Sequence, residues 1–308
     1  MEPWADLVSQ QTPELQAALK ELRAVLADLP PHFNGVLLLR FLRAHQGEVA
    51  PAAEAVRAHL AWALARDLDT LVTAGPLPEA AAIRQAYPHG YHGVDRLGRP
   101  VYIERLGLLD LRQLLQATTH QRMLRYFTRE AELMLRERFP SCSVKAGTLV
   151  HRSFNVLDLS GLSVSSVTNA QAREFITAVI ELQSANYPET MGCTVIVNAP
   201  RIFSLAWRFV KPLLDTRTTA KMEIIGPDPG RVRARLLESV DAAQLPLFLG
   251  GTCTCSHVPG GCLSSDPGPW QDPEVRAVLA RVPYYEVMDQ YAEGKDGGAA
   301  APRPPSPA

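Results

Sequence analysis

Apolar residues in the first quarter of the chain recur at three- and four-residue steps, as on the buried face of a helix. The first series follows Thr12, a candidate helix cap before Pro13, and consists of Leu15, Leu19, Leu22 and Leu26. Further helices are predicted over Gly35–Ala44, from Pro51 onward, and over Pro78–Ala86. Because no alternating apolar pattern interrupts them, residues 1–75 are predicted to form a helical N-terminal module.

Strand-like and helical segments alternate over the next part of the chain. The predicted strands are Val101–Glu104, Phe154–Leu159, Thr194–Asn198 and Met222–Ile225. The predicted helices are Thr119–Phe139, Thr168–Ser184, Arg201–Leu214 and Gly230–Ser239. A turn at Asp95–Arg99 precedes the first of these strands and indicates a hairpin. Strands separated by helices predict an α/β domain over residues 76–255, with a mixed, largely parallel sheet.

The pattern weakens in the last part of the chain. Leu245–Gly251 begins an irregular segment, and one short helix is predicted at Pro273–Arg281. Residues 256–293 are therefore expected to wrap the α/β domain. Residues 294–308 are rich in Gly, Ala and Pro, a composition that predicts a disordered tail.

The helix predicted at Arg201–Leu214 is apolar over about 200° of its circumference, roughly twice the width of the usual apolar stripe. Its remaining face carries Arg201, Arg208 and Lys211, and charged side chains are seldom fully buried without a partner. Two interpretations stay open: a core helix with a solvated basic edge, or a helix that shields an apolar cavity and touches a bilayer. Pro212 interrupts this helix and predicts a hinge.

Composition and charge exclude several classes of function. The 308 residues include 31 Lys and Arg against 32 Asp and Glu, a balance that argues against a nucleic-acid partner. The N-terminus lacks the pattern of a secretory signal, and no apolar run approaches the roughly 18 residues of a membrane span. Five scattered cysteines fit a reducing compartment better than a disulfide framework. We therefore expect a soluble, cytoplasmic protein whose membrane contacts are peripheral.

Motifs of catalysis are weak in this sequence. It contains neither a G-x-G-x-x-G loop nor a Walker A sequence. Gly161–Ser165 resembles the G-x-S-x-G turn of serine hydrolases around Ser163, but Ser replaces the second Gly that the sharp turn needs. A polar loop whose hydroxyls cap the following helix is the favoured interpretation, and no enzymatic activity is expected.

Metal-binding patterns are also weak. His89 and His92 are interpreted as part of a polar turn. A second set could supply a tetrahedral zinc site and consists of Cys253, Cys255, His257 and Cys262. The gap between its first two cysteines is shorter than usual for zinc, so a tightly packed loop without a metal is predicted.

Eight sequence strings, taken together and in order, resemble one family. They are LRFLRA (39–44), YPHGYHGVD (87–95) with GRPVY (98–102), NYPET (186–190), IVNAP (196–200), KPLLD (211–215), LPLFLGG (245–251) and GPWQDP (268–273). They are similar to the CRAL-TRIO lipid-binding family, and most of all to its phosphatidylinositol/phosphatidylcholine transfer proteins. The resemblance extends from about Val36 to Val275.

This resemblance implies a helical N-terminal module followed by an α/β domain that encloses an apolar cavity for one phospholipid. It implies a lid helix that opens at a membrane, with the residues Phe203, Trp207, Phe209, Val210, Leu213 and Leu214. The implied activity is exchange of phosphatidylinositol and phosphatidylcholine between membranes by a monomer without a cofactor. Phosphoinositide kinases are implied partners, and the Golgi or plasma membrane is the implied location.

The resemblance also places the headgroup residues. The phosphatidylinositol positions are Glu189, Thr218, Lys221 and His45, and the phosphatidylcholine positions are Tyr91, Tyr102, Ser153 and Asn155. The family usually has two basic residues where His45 and Gln46 stand, and a small hydroxyl residue where Asn155 stands. An altered second ligand, such as a sterol or another hydrophobic molecule, is therefore an alternative, as is a lipid sensor that regulates a partner.

Overall fold

A computed structural model describes residues 11–293 as a mixed α/β fold; the tail predicted at residues 294–308 lies outside this range. The helices are α1 Pro13–Val25, α2 Gly35–Ala44, α3 Val49–Arg66, α4 Leu68–Thr73, α5 Ala80–Ala86, α6 Leu111–Ala117, α7 His120–Leu133, α8 Phe139–Ala146, α9 Val164–Thr168, α10 Ala170–Asn186, α11 Phe203–Val210, α12 Thr216–Ala220, α13 Pro229–Ser239, α14 Cys262–Ser265, α15 Pro273–Leu279 and α16 Tyr284–Ala292. The strands are β1 His89–Val94, β2 Pro100–Glu104, β3 Ser153–Asp158, β4 Met191–Val197 and β5 Met222–Ile224.

The five strands form one sheet in the order β1-β2-β3-β4-β5. β1 and β2 form the predicted antiparallel hairpin, and every later pair is parallel. The predicted mixed, largely parallel sheet is therefore confirmed. Parallel crossovers have one hand, so strands in sequential order keep their connecting helices on one face of the sheet.

The two faces of the sheet have different chemistry because side chains alternate along each strand. One face packs against α13 and consists of Val101, Ile103, Phe154, Val156, Val195 and Val197. The intervening positions on the other face carry Tyr102, Glu104, Ser153, Asn155 and Thr194, and these line an internal cavity. The strands therefore carry polar residues at these positions because this face of the sheet borders a cavity and not the apolar core.

The N-terminal module has its own core between α1, α2 and α3, with Leu22, Leu42 and Val56 fully buried. Pro51 lies in the first turn of α3, where a missing N–H costs no helical hydrogen bond. Nδ1 of His59 on α3 lies 3.1 Å from Oδ1 of Asn186 on α10, and this contact connects the module to the α/β domain.

The helix predicted at Thr119–Phe139 extends further than expected. It continues as α8 to Ala146 through a π-helical turn at Met134–Arg138, which ends two residues before Pro140. A π turn rearranges the backbone hydrogen bonds at the point where proline supplies no N–H, so the chain stays helical.

The C-terminal segment contains more helix than the one that the sequence predicts. α16 packs Val287, Met288 and Tyr291 against Val36 and Phe139. At this contact, Nδ2 of Asn34 donates to the carbonyl of Tyr285 (3.0 Å), and the Gly35 amide donates to Oδ1 of Asp289 (3.0 Å). The last described helix therefore fastens the N-terminal module to the domain.

Candidate functional site

A cavity of about 690 Å³ lies between the sheet and helices α7, α10 and α11. Much of its wall is apolar and includes Leu111, Leu114, Phe127, Met134, Phe175, Ile176, Val179 and Ile180. A volume of this size falls within the range of about 300–1,000 Å³ typical of small-molecule pockets. An apolar wall with polar groups at particular places suits an amphiphilic ligand.

The polar groups at one side of the cavity centre on Glu189. Its Oε2 lies 2.8 Å from Nζ of Lys221 and 3.7 Å from Arg152, and its Oε1 lies 3.9 Å from Nε of Arg217. Burial acts to raise the pKa of Glu189, but the hydrogen bond from Lys221 and the three nearby cations together lower it. Three cations against one carboxylate leave an excess of positive charge, which suits a phosphate.

Thr218 and His45 lie on the same cavity. Asp215 caps α12 by accepting a hydrogen bond from the Thr218 amide (2.8 Å), and it also accepts one from the Thr218 hydroxyl (2.6 Å). The Thr218 oxygen can therefore accept a hydrogen bond from a ligand while its own hydroxyl group donates to the Asp215 carboxylate. All four predicted phosphatidylinositol positions thus lie on the wall of one cavity.

Arg217 is a cavity residue that the sequence did not single out. Its guanidinium donates to the carbonyl of Ala44 (3.0 Å) and to that of Arg43, so it lies beside His45. A cation thus stands near the end of α2, where two basic residues of the family pattern are missing. In the sequence, Arg217 is notable only because it precedes Thr218. Its contact with the end of α2 is apparent only in the folded structure.

The four predicted phosphatidylcholine positions line the same cavity. The rings of Tyr91 and Tyr102 are 4.7 Å apart between centroids, and Asn155 is the strand partner of Tyr102. Nδ2 of Asn155 donates to Oγ1 of Thr194 (3.3 Å), and Oγ of Ser153 donates to the Thr190 carbonyl (3.4 Å). The two predicted headgroup sets therefore occupy one continuous cavity wall.

Two charged residues near Tyr91 and Tyr102 affect how these rings could bind a cationic headgroup. The Arg138 guanidinium lies 4.1 Å from the ring centroid of Tyr91, so a protein cation already uses part of this π surface. Glu104, which the sequence did not single out, lines the cavity two residues after Tyr102. Burial raises the pKa of Glu104, and hydrogen bonds from Tyr87 and Tyr102 oppose this effect. A carboxylate and an aromatic ring side by side could both attract an ammonium group.

The helix predicted at Arg201–Leu214 is shorter in the structure. α11 covers Phe203–Val210, and a 3₁₀ turn at Lys211–Leu213 contains Pro212. Five of the six predicted lid residues line the cavity, namely Phe203, Trp207, Phe209, Val210 and Leu214. Leu213 is not among them, since it is 37% exposed.

The other side of α11 faces outward. Leu205 is 43% exposed, and the three basic residues of the segment, Arg201, Arg208 and Lys211, are exposed as well. Of the two interpretations left open by the sequence, the fold therefore supports a helix that shields a cavity. Its outer surface combines apolar and basic side chains.

Ser163 has the capping role that the sequence favours. It is the N-cap of α9, and its Oγ accepts a hydrogen bond from the Ser166 amide at 3.2 Å. Within residues 11–293, no hydrogen bond connects Ser163 to a histidine. The hydrolase interpretation therefore gains no support from this geometry.

The interpretation of His89 and His92 as a polar turn is wrong, because both lie buried in β1. Nδ1 of His89 donates to the Tyr87 carbonyl (2.7 Å), and its Nε2 accepts from the Tyr126 hydroxyl (2.9 Å). Burial lowers the pKa of His89 to about 4, so this imidazole is neutral at neutral pH. His92 instead lies with Cys253, Cys255 and Cys262, and His257, which the sequence grouped with these cysteines, is exposed outside the cluster.

No helix within residues 11–293 is both long and apolar enough to span a bilayer.

Comparisons with known proteins agree with this architecture. The model of the CRAL/TRIO domain family matches residues 84–251. The phosphatidylinositol/phosphatidylcholine transfer protein SFH7 of Arabidopsis thaliana is 41% identical over 253 residues, which are 82% of this chain and 45% of that protein. The Sec14 cytosolic factor of Schizosaccharomyces pombe is 37% identical over 83% of this chain and 88% of its own length. The chain thus spans less than half of the first relative and most of the second.

A solved structure supports the fold alone. The crystal structure of Sfh5 superposes with a TM-score of 0.52 at 18% sequence identity, over 64% of this chain and 66% of the other.

Proposed function

This chain belongs to the CRAL/TRIO domain family, and from that premise we propose that it binds a phospholipid in the cavity and carries it between membranes. The observation that carries the proposal is one cavity with an apolar wall and a cationic group at its edge. The names of its relatives add support, since they describe phosphatidylinositol/phosphatidylcholine transfer. In this proposal the protein acts as a carrier and catalyses no reaction.

The proposed phosphatidylinositol headgroup lies beside Glu189. Lys221 and Arg217 supply charge to the phosphate, and the carboxylate of Glu189 accepts hydrogen bonds from inositol hydroxyls. Thr218 offers its oxygen as an acceptor, and His45 closes the site from the end of α2. Arg217 takes the place of the basic residues that the family pattern has after Arg43.

The proposed phosphatidylcholine headgroup lies near Tyr102. The ring of Tyr102 and the carboxylate of Glu104 attract the quaternary ammonium, while Ser153 and Asn155 offer hydrogen bonds to the phosphate. Tyr91 contributes less than its family position implies, because Arg138 already lies over its ring.

The lid α11 is proposed to open against a membrane. Leu205 of this helix and Leu213 just after it are exposed and can enter the interface, while Arg208 and the flanking basic residues meet anionic lipid headgroups. We place the protein in the cytoplasm, transiently on Golgi or plasma membranes, as a monomer that supplies phosphatidylinositol to phosphoinositide kinases.

The test is direct identification of the ligand. The full chain is purified, extracted with organic solvent, and its lipids are identified by mass spectrometry; transfer of both phospholipids is then measured between vesicles. About one phospholipid per chain and transfer of both lipids are expected. A stoichiometric sterol in place of phospholipid, or no lipid together with no transfer, would overturn the proposal.

A matched pair of variants connects the activity to the cavity. Ile176→Trp adds a large ring to the cavity wall, whereas Leu64→Trp makes the same addition at a side chain that is 72% exposed on α3. Loss of bound lipid is expected only in the first variant.

A further inference from the structure

Four side chains with metal-binding atoms meet where the C-terminal segment crosses β1. Cys253 and Cys255 follow the irregular turn after Gly251, Cys262 begins α14, and His92 comes from β1. The sulfur and imidazole nitrogen atoms of these residues all lie within 4.8 Å of one another. The three cysteines lie close together in the sequence, but the histidine comes from a distant strand. The fold is therefore needed to assemble the group.

The spacing of the four atoms fits a small tetrahedral ion. The sulfur atoms of Cys253 and Cys255 are 3.5 Å apart, and all three cysteines are free thiols. Two thiolates bound to one tetrahedral zinc ion, with bonds of about 2.3 Å, lie about 3.8 Å apart. Three sulfurs and one imidazole nitrogen are a common ligand set for structural zinc, and soft thiolates disfavour calcium or magnesium.

The surrounding structure holds these residues firmly. His92 and Cys262 are almost fully buried. The backbone of the segment packs directly on β1: the Gly93 amide donates to the Pro267 carbonyl (2.8 Å), and a Cβ atom at Gly90 would lie 2.3 Å from the Leu263 carbonyl oxygen. Oγ of Ser265 lies 3.4 Å from Nδ1 of His92, as a polar neighbour of the kind that orients metal-binding imidazoles.

We propose that Cys253, Cys255, Cys262 and His92 bind one zinc ion that fastens the C-terminal segment to the edge strand of the sheet. The site is closed, because four protein ligands complete the tetrahedron and leave no position for a substrate. Binding releases the three thiol protons to solvent as three zinc–sulfur bonds and one zinc–nitrogen bond form. The ion is structural and independent of the lipid cavity.

The first test uses the unmodified full chain. After reduction and exposure to zinc, followed by removal of free metal, elemental analysis is expected to find one zinc ion per chain. Cobalt in place of zinc is expected to give the intense absorption of tetrahedral, thiolate-bound cobalt. No retained zinc and no such spectrum from the folded, reduced protein would overturn the proposal without recourse to a variant.

Matched substitutions identify the ligands. His92→Gln and Cys262→Ser are expected to weaken zinc binding by more than about tenfold. His257→Gln and Cys193→Ser are the controls, since His257 is exposed and Cys193 lies outside the cluster, and both should bind zinc as the wild type does. Loss of zinc from His257→Gln with retention in His92→Gln would contradict the assignment.

Discussion

Glu189 shows how one carboxylate can organise a cationic site. Its backbone is in the left-handed region (φ 58°), in the turn after Pro188, where its side chain meets Lys221, Arg152 and Arg217. The carboxylate neutralises only part of this charge and holds the cations together before a ligand arrives. A phosphate bound as proposed would therefore meet donors whose positions are already set.

Lys221→Ala is expected to reduce phosphatidylinositol transfer at least about tenfold, because a charge-assisted hydrogen bond contributes roughly 1.5–3 kcal/mol. Phosphatidylcholine transfer should fall less, since its proposed headgroup lies near Tyr102. Vesicle assays with each labelled lipid measure both rates, and Lys20→Ala, at an exposed lysine on α1, is the control. Equal loss of both activities would contradict the headgroup assignment.

Glu104 predicts a dependence of stability on pH. Its raised pKa means that the native state holds the proton more tightly than the unfolded state does. The stabilisation from this group is complete below the ordinary pKa of 4.5 and is lost as the pH rises through the higher native value.

Glu104→Gln removes this titration. The variant is expected to gain stability relative to wild type at neutral pH, and the gain should vanish near pH 4. Chemical denaturation at a series of pH values measures the difference. Glu21→Gln, at an exposed glutamate of α1, is the control, and a Glu104→Gln effect independent of pH would argue against a buried, titrating carboxyl.

At the scale of elements, α11 separates two environments. Its inner side chains border the cavity and its outer side carries Leu205 with basic neighbours. The helix ends at Val210 before Pro212, so its movement would bend the chain where the helical hydrogen bonds already change.

Leu205→Asp is expected to slow transfer several-fold while the bound lipid remains, because the substitution removes an apolar contact and adds charge that anionic membranes repel. Leu64→Asp makes the same change at an exposed leucine of the N-terminal module and should have no effect. Vesicle binding and transfer are measured for both. Unchanged transfer by Leu205→Asp would exclude this helix face as the membrane contact.

Elements with strong periodicity were predictable from the sequence. α2 has the predicted bounds, and the strands from β2 to β5 lie within a few residues of theirs. β1 was harder to predict, because it contains Gly90 and Gly93 and glycine is uncommon within strands. The reason for Gly90 is visible only in the fold, where the backbone of Leu263 approaches it closely. α16 was missed since its apolar face is defined by contacts with α2 and α8.

Site residues divide in the same way. The resemblance to a family identified eight headgroup candidates, and the structure places all eight on the wall of one cavity, although their roles stay predictions. Arg217 and Glu104 could not be found this way, since their importance comes from neighbours distant in sequence. Spacing along the chain paired His257 with the cysteines, whereas the fold supplies His92 from β1.

At the scale of the whole molecule, the cavity lies where a core would otherwise be. One face of the sheet packs on α13, while the other borders a cavity of about 690 Å³. A bound lipid would therefore complete the interior and stabilise the native state by mass action.

Removal of the lipid is expected to lower the melting temperature. At a free lipid concentration 100 times the dissociation constant, binding contributes about 2.7 kcal/mol. Calorimetry of delipidated protein with and without phospholipid vesicles tests this, and Ile176→Trp should show a smaller difference. Equal melting temperatures for loaded and delipidated wild type would mean that the lipid adds nothing to the native interior.

The contact between α2 and α16 has a consequence for synthesis on the ribosome. Asn34 and Tyr285 are 251 residues apart, and translation at about 5–20 residues per second separates them by on the order of 10–50 s. During that interval Val36 and its neighbours lack their partner helix. The apolar surface of α2 that α16 later covers is therefore exposed in the nascent chain. Chaperone binding to this surface is expected to end when α16 emerges from the ribosome.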